Sequence, residues 1–419
     1  MHMSPTTHGG SAAQRRPAAR GRRRLGAAGM ALIAASLTSA AVLSPLAGAA
    51  VHARPSKSGS GSSSSGPSLS NLESSLAKLQ KLAHSGDTLS ETGSTLFYPL
   101  FEEWQGAKPL GLNISPAGTG SGTGQADAEG GTVNIGASDA YLPASIASNV
   151  LDIPIVVSAQ QIDYNIPGLS SSTHVKLNAD ILNGIYTGQI TNWDNSQITS
   201  INSGIKLPNL PIVPLRRSDG SGDTFLFTSY LDFAASNGGF VQSTMGGPNT
   251  SSTSFPSVSG EQAETGNSGM LGACEAIKGC IAYIGVSYLR SALSHGLGDA
   301  SLENGEGNYV ELNRTTINNE VASFKHIPGI GNSDGIRPGA LSLVDSKSAK
   351  DGYPIVNFEY AIVLQSQPST ATADDVKALL AWGADPNDGA ASSYLEKLNF
   401  LPLAPNALAV TLSLLDEIS

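Results

Sequence analysis

Apolar and polar positions along this 419-residue chain fall into one recurring order. A short apolar run is followed by a turn of Gly, Ser and Thr, then by apolar residues at helical spacing. Leu210–Leu215 reads as a buried strand, Arg216–Thr224 as a glycine-broken turn, and Phe225–Leu231 as the apolar face of a helix. Thr88–Thr92 is a second such strand. It leads through Gly93-Ser94-Thr95 into Leu96, Phe97, Leu100, Phe101 and Trp104, which share one helical face and are read as core. Pro99 suits a first helical turn, where its missing N–H has no partner to lose. Ala117–Gly124 places glycine at every second position, and Gln125–Ala128 is expected to open another helix. Val133–Gly136 reads as a strand ending in Ala137-Ser138-Asp139-Ala140. Further helices are predicted over Asn71–Leu82, Ala371–Trp382 (with Asp374 and Asp375 near its N-terminus, where acids suit the dipole), Ala391–Leu398 and Leu408–Ile418.

The N-terminus departs from this pattern. Arginines at 15, 16, 20, 22, 23 and 24 precede an apolar run from Leu25 to Leu43, and small residues follow through Ala53. That is the layout of a secretory signal, by a Sec or twin-arginine route, and a retained anchor is the alternative. Residues 1–53 are assigned to this segment. Ser56–Ser70 is a Ser/Gly-rich linker, so 54–83 is expected to hold the linker and a short helix.

Composition narrows the chemistry. With 40% hydrophobic residues, 14% charged residues and a net charge of −10, the chain can build a sizeable core but offers no basic face for nucleic acid. The three Gly/hydroxyl-rich strand ends near residues 92, 118 and 218 each lead toward a helix start, whose free N–H groups and dipole favour anions. Gly220 and Gly222 permit a tight turn, Ser221 and Thr224 suit a helix start, and Arg217 adds a planar fork of donors. The bland alternative is an ordinary turn. A nucleophilic Ser221 would want a G-x-S-x-G elbow or a nearby histidine, and a P-loop would want Gly-Lys-Ser/Thr; neither is present. The glycine run at 118 is not a dinucleotide fingerprint, because the third glycine position falls on Thr123. Asp139, at a strand end, is either a turn former or helix cap, or a group that faces the anion.

Several motifs in order carry a resemblance. Thr92-Gly-Ser-Thr-Leu96, Gly118-Thr-Gly-Ser-Gly122, Ile135-Gly-Ala-Ser-Asp-Ala140 and Arg217-Ser-Asp-Gly-Ser-Gly-Asp223 resemble the ligand loops of the extracytoplasmic phosphate-binding protein (PstS) of Pst-type ABC transporters. Ile185–Trp193, Gly279–Gly285 and Tyr353–Tyr360 extend the similarity, which is greatest to the actinobacterial branch with its extra cysteine pair. The resemblance implies an α/β, two-lobed periplasmic-binding-protein-like fold (type II) with the ligand cleft between lobes and two hinge crossings, near Ile155–Ala159 and Tyr353–Phe358. Lobe 1 would comprise 84–157 and the return segment 353–419, and lobe 2 would be 158–352. It further implies phosphate ligation by Thr95, Leu96, Ser121, Asp139, Arg217, Ser221, Gly222 and Asp223, although many relatives carry Thr in place of Asp223. The implied protein is a monomer that delivers inorganic phosphate to a membrane permease and is not an enzyme.

Physical chemistry adds a reason for Asp139. A buried carboxylate accepts only, so it can pair with the P–OH that phosphate keeps near neutral pH and repels bare sulfate oxygens. The rival readings are a secreted phosphatase, for which no activated nucleophile or metal ligand set is visible, and a binding protein for another oxyanion such as sulfate. Cys274 and Cys280, the two cysteines, are expected to pair in an exported chain. The seven histidines show no metal spacing, and neither a cofactor nor a metal is expected. No cysteine precedes Cys274, which leaves no N-terminal cysteine for a lipid anchor in an extracytoplasmic protein.

Overall fold

The computed structural model describes residues 68–142, 149–235, 252–256, 260–323 and 349–419. The leader and most of the linker lie outside them. Among the described residues no helix is long and apolar enough to cross a membrane.

The sheet is built around two long strands. β1 (Thr88–Gly93) pairs in parallel with β2 (Asn113–Ser115) and β3 (Ile135–Ser138). β4 (Val150–Tyr164) is buried along its whole length. After β5 (Lys176–Leu177) come β6 (Val213–Arg217), β7 (Gln262–Glu264), β8 (Cys280–Gly285) and the short β9 (Gly298–Asp299). β10 (Ser301–Glu303) and β11 (Tyr309–Val310) form a separate three-stranded sheet with β5, and β12 (Val356–Leu364) returns to the main sheet. The main order is β2-β1-β3-β12-β4-β8-β6-β7, with β9 also on β4.

β4 therefore serves both halves of the sheet. Its residues Val150–Ala159 pair antiparallel with β12, and Gln160–Tyr164 pair with β8. At the changeover Gln160 N–H donates to the Ile355 carbonyl (3.0 Å) and Tyr353 Oη donates to the Gln160 carbonyl (2.9 Å). The two expected crossings thus lie side by side. Pairing of β12 with β4 shifts register between Glu359 and Tyr360.

Helices α1 (Leu69–Leu79), α2 (Tyr98–Ala107), α3 (Ser121–Glu129), α4 (Ala179–Tyr186), α5 (Ser196–Ile201) and α6 (Gly222–Ala234) are followed by α7 (Gly266–Ala276), α8 (Leu289–Ser294) and α9 (Arg314–Ala322). The C-terminal set is α10 (Thr370–Ala384), α11 (Ser392–Leu395) and α12 (Pro405–Leu415). The aromatic face of α2 is core, as its spacing predicted. Phe97, Phe101 and Trp104 are buried against one another, and Trp104 meets Trp382 of α10 edge-on with centroids 5.8 Å apart. In the other half Trp193 is buried against Tyr164, and its Nε1–H donates to the Gly279 carbonyl (3.1 Å). Cys274 and Cys280 form a disulfide joining α7 to β8, with Cα atoms 5.3 Å apart.

Several boundaries differ from those expected. The second half of the glycine-rich run is itself helical: α3 starts at Ser121, not at Gln125. Its poor intrinsic propensity is overridden by packing, because Gly124 lies against the backbones of Thr92, Gly93 and Ala137, where a Cβ would come within 2.7 Å of each. β3 begins two residues later than Val133, and β6 runs on through Arg216 and Arg217. Asp374 and Asp375 lie beyond the first turn of α10, and Asp375 is buried, accepting from His84 N–H at 2.7 Å.

Candidate oxyanion site

Four helix N-termini meet where the two halves of the sheet face each other. Ser94, at the end of β1, accepts the N–H of Leu96 (3.1 Å) and of Phe97 (2.9 Å), and its hydroxyl donates to Asp139 Oδ1. Gly120, with φ of +95°, turns the chain into α3, a backbone angle that favours glycine. Ser121, the first residue of α3, donates to Asp139 Oδ2 (3.4 Å). Ser221 caps α6 by accepting Thr224 N–H at 3.4 Å. Gly222 opens that helix so close to Asp139 that a Cβ there would meet its Oδ2 at 2.5 Å. Gly266 opens α7 and donates its N–H to Asp219 Oδ1 at 3.1 Å.

These loops touch across the halves. Gly122 N–H donates to the Gly220 carbonyl (3.0 Å), and Asn267 donates from both its backbone N–H (3.1 Å) and its Nδ2 (3.0 Å) to Thr95 Oγ1. Asn267 also donates to Asp223 Oδ2 (2.7 Å) and accepts Gly285 N–H (2.8 Å). One amide thus ties the first loop to the second half.

Arg217, 1% exposed, sits between two carboxylates. Its Nε donates to Asp219 Oδ1 (2.7 Å), Nη2 to Asp219 Oδ2, and Nη1 to Asp223 Oδ2 (2.9 Å). Its backbone N–H donates to Tyr283 Oη (2.8 Å). The neighbouring Arg216 is committed elsewhere, to Glu261 at 2.5 Å.

Carboxylates outnumber this cation. Burial raises Asp139, while Glu359, Ser94, Arg217 and Ser121 hold it down. Burial and the field of Asp139 push Asp223 to about 7 against the pull of Arg217, Asn267 and Gln160. Asp219 is lowered, because hydrogen bonding and charge from Arg217 outweigh its partial burial. Glu359, fully buried on β12, is pushed well above the usual range by burial and then by Asp139. Tetrahedral oxyanions suit such a place: donors come from helix ends and one arginine, and a buried acceptor stands among them.

A family model, the PBP superfamily domain, matches residues 80–387. The phosphate-binding protein PstS of Methanocaldococcus jannaschii is 30% identical over 295 residues, covering 67% of this chain and 73% of that protein. The chain belongs to the PstS phosphate-binding protein family. PstS3 of Mycobacterium bovis is 28% identical, over 77% of this chain and 82% of its own length. Among solved structures, the high-affinity periplasmic phosphate-binding protein PfluDING, solved with phosphate bound, aligns with a TM-score of 0.56 at 23% identity, over 77% of this chain and 92% of its own. The fold is therefore the two-lobed periplasmic-binding-protein fold.

The eight expected residues fall in one neighbourhood of the fold. Leu96 N–H bonds to Ser94, Thr95 to Asn267, and Ser121 to Asp139. Ser221 and Gly222 form the start of α6 beside Asp139, and Asp223 is paired with Arg217. Reading the sequence missed Ser94's bond to Asp139, Asn267, Asp219 and Glu359. Thr265-Gly266-Asn267 after Gln262–Glu264 is a fourth strand–glycine–helix start, the one signal that points to Asn267. Among the described residues one group of potential metal ligands gathers, His84, Asp87 and Asp375, within 4.8 Å. There Asp375 Oδ1 is already taken by the His84 N–H and Nδ1.

Proposed function

We propose that this chain captures inorganic phosphate outside the cytoplasm and delivers it to the membrane permease of an ABC importer. The observation that carries the reading is Asp139: a buried carboxylate among helix N-termini, 1% exposed, facing the same space as Arg217. Its acceptor-only oxygens fit an oxyanion that still bears a proton and disfavour sulfate, which bears none. Thr95 and Ser221 supply hydroxyl donors and Gly222 supplies an N–H, while Ser121 and Leu96, whose hydrogens are engaged by Asp139 and Ser94, would turn them to the anion on binding. Arg217 has five N–H donors. Three are engaged by Asp219 and Asp223, so two remain for the anion. Asp223 orients Arg217 and trims the positive charge that sulfate would need.

Lobe 1 is assigned to 84–157 with 353–419 and lobe 2 to 158–352, so donors come from both sides and the ligand favours the closed form. The names of the relatives describe binding proteins, and the same reading makes this chain a carrier with no catalytic step. Calorimetry of phosphate into protein unfolded, stripped of anion and refolded should give one site per chain, and a phosphomonoester should show no turnover. Absent heat rejects the phosphate reading, while turnover favours a phosphatase.

A further inference from the structure

Glu359 is a glutamate in the middle of the apolar strand Val356–Leu364, and no part of its side chain reaches solvent. Its Oε1 accepts from Ser158 Oγ of β4. Among the described residues its Oε2 is buried with no hydrogen-bond donor, and the pairing of Tyr360 with Ser138 of β3 sets this stretch of β12 beside Asp139, whose charge acts on Glu359. The same strand also holds the Asp139 backbone, since Asn357 Nδ2 donates to the Asp139 carbonyl. β12 thus grips Asp139 at both ends. The charged groups around the pair are Asp223 from α6 and Arg217 from β6. Asp223 adds to the negative field on Glu359, and Arg217 draws Asp139 toward its ionised form.

Two carboxyl groups can bond only with a proton between them, and two ionised ones would repel. We propose that Glu359 is a further specificity-determining residue of the phosphate site: it keeps the proton of the pair and donates an O–H hydrogen bond to Asp139, which keeps Asp139 an ionised acceptor for the protonated oxygen of phosphate. The inference rests on the phosphate reading above. Burial and the neighbouring acids favour the neutral form of Glu359, and Arg217, Ser94 and Ser121 favour the charged form of Asp139, so the proton has one preferred owner. At high pH the pair loses its proton to solvent, and the second buried negative charge beside Asp139 weakens the hold on the anion.

The test compares phosphate and sulfate affinities across pH for wild type, Glu359→Gln and Glu359→Leu. Glutamine keeps a permanent donor, so its phosphate/sulfate ratio should stay within about threefold of wild type, with the alkaline loss of affinity removed. Leucine removes the donor, so the ratio should fall by about tenfold or more. A purely structural Glu359 would alter stability without moving the ratio. An unchanged ratio in Glu359→Leu, or an equal loss in Glu359→Gln, overturns the proposal. Should the leucine variant not fold, infrared spectroscopy of wild type at neutral pH must show a protonated-carboxyl band that Glu359→Gln loses, and absence of that band also overturns it. Wild-type protein binding neither anion would refute the phosphate reading and this specificity claim with it, whereas the band still reports who holds the proton.

Discussion

Replacing Arg217 by methionine tests how the site balances its charges. The side chains of Arg217 and Asp223 are each 1% exposed, and that of Asp219 is 14% exposed. Removing the cation strands Asp223 in a buried place where, among the described residues, Asn267 and Gln160 remain as side-chain donors. Breaking a buried pair from one side costs about 3–5 kcal/mol when the remaining group stays charged. Asp223 has an escape, because it already titrates at about 7 with Arg217 holding it down, and without Arg217 it must rise further. A folded-state pKa raised above the unfolded value gives stability that is intact in acid and lost as pH rises. At about pH 5.5 Asp223 is neutral in the variant, and the loss should shrink to that of the hydrogen bonds, about 1–3 kcal/mol. Near pH 8 the full penalty of about 3–5 kcal/mol should appear. Urea unfolding of both proteins in phosphate-free buffer at the two pH values measures this difference. Equal losses at both, or a loss below about 1 kcal/mol near pH 8, would refute the reasoning.

Two further outcomes follow from packing and burial. Asp152 accepts Leu142 N–H at 3.0 Å, and burial raises it to about 8. Folding should therefore lose about 1.4 kcal/mol per pH unit between the ordinary carboxylate range and that value, and Asp152→Asn, which can still accept from Leu142, should lack this slope. Parallel curves of melting temperature against pH would show that Asp152 ionises normally. Gly124→Ala should destabilise by about 1–3 kcal/mol even though alanine favours helix by about 1 kcal/mol, because the methyl meets the backbones of three residues. A neutral or stabilising effect on thermal unfolding would mean that α3 is free to move away from the strands.

Local pattern carried the parts of this molecule that are local. Strand–glycine–helix order located the loops around Ser94, Ser121 and Ser221, and helical spacing assigned the aromatic face of α2 to the core. Packing that joins distant segments left no such trace. Glycines in α3 have poor helix propensity, and they are required by the approach of β1 and β3, which no local window contains. Glu359 sits in an apolar strand, where its carboxyl has meaning only once the two crossing strands bring Asp139 and Ser158 to it. Asp375 has the composition of a dipole partner, yet the fold buries it against His84. Arg217 was legible as a donor, and its commitment to Asp219 and Asp223 was not, since each bond is set by the side-chain geometry of the turn.

The central claim is that a buried acceptor selects an oxyanion carrying a proton. Retention of radiolabelled phosphate, challenged with excess sulfate or arsenate at neutral pH, tests it in wild type and in Asp139→Asn. Arsenate keeps a proton as phosphate does, so it should displace the label from wild type while sulfate leaves it in place. In Asp139→Asn, whose amide can donate to a bare oxygen, sulfate should begin to compete. Displacement of phosphate from wild type by sulfate as readily as by arsenate would contradict the account.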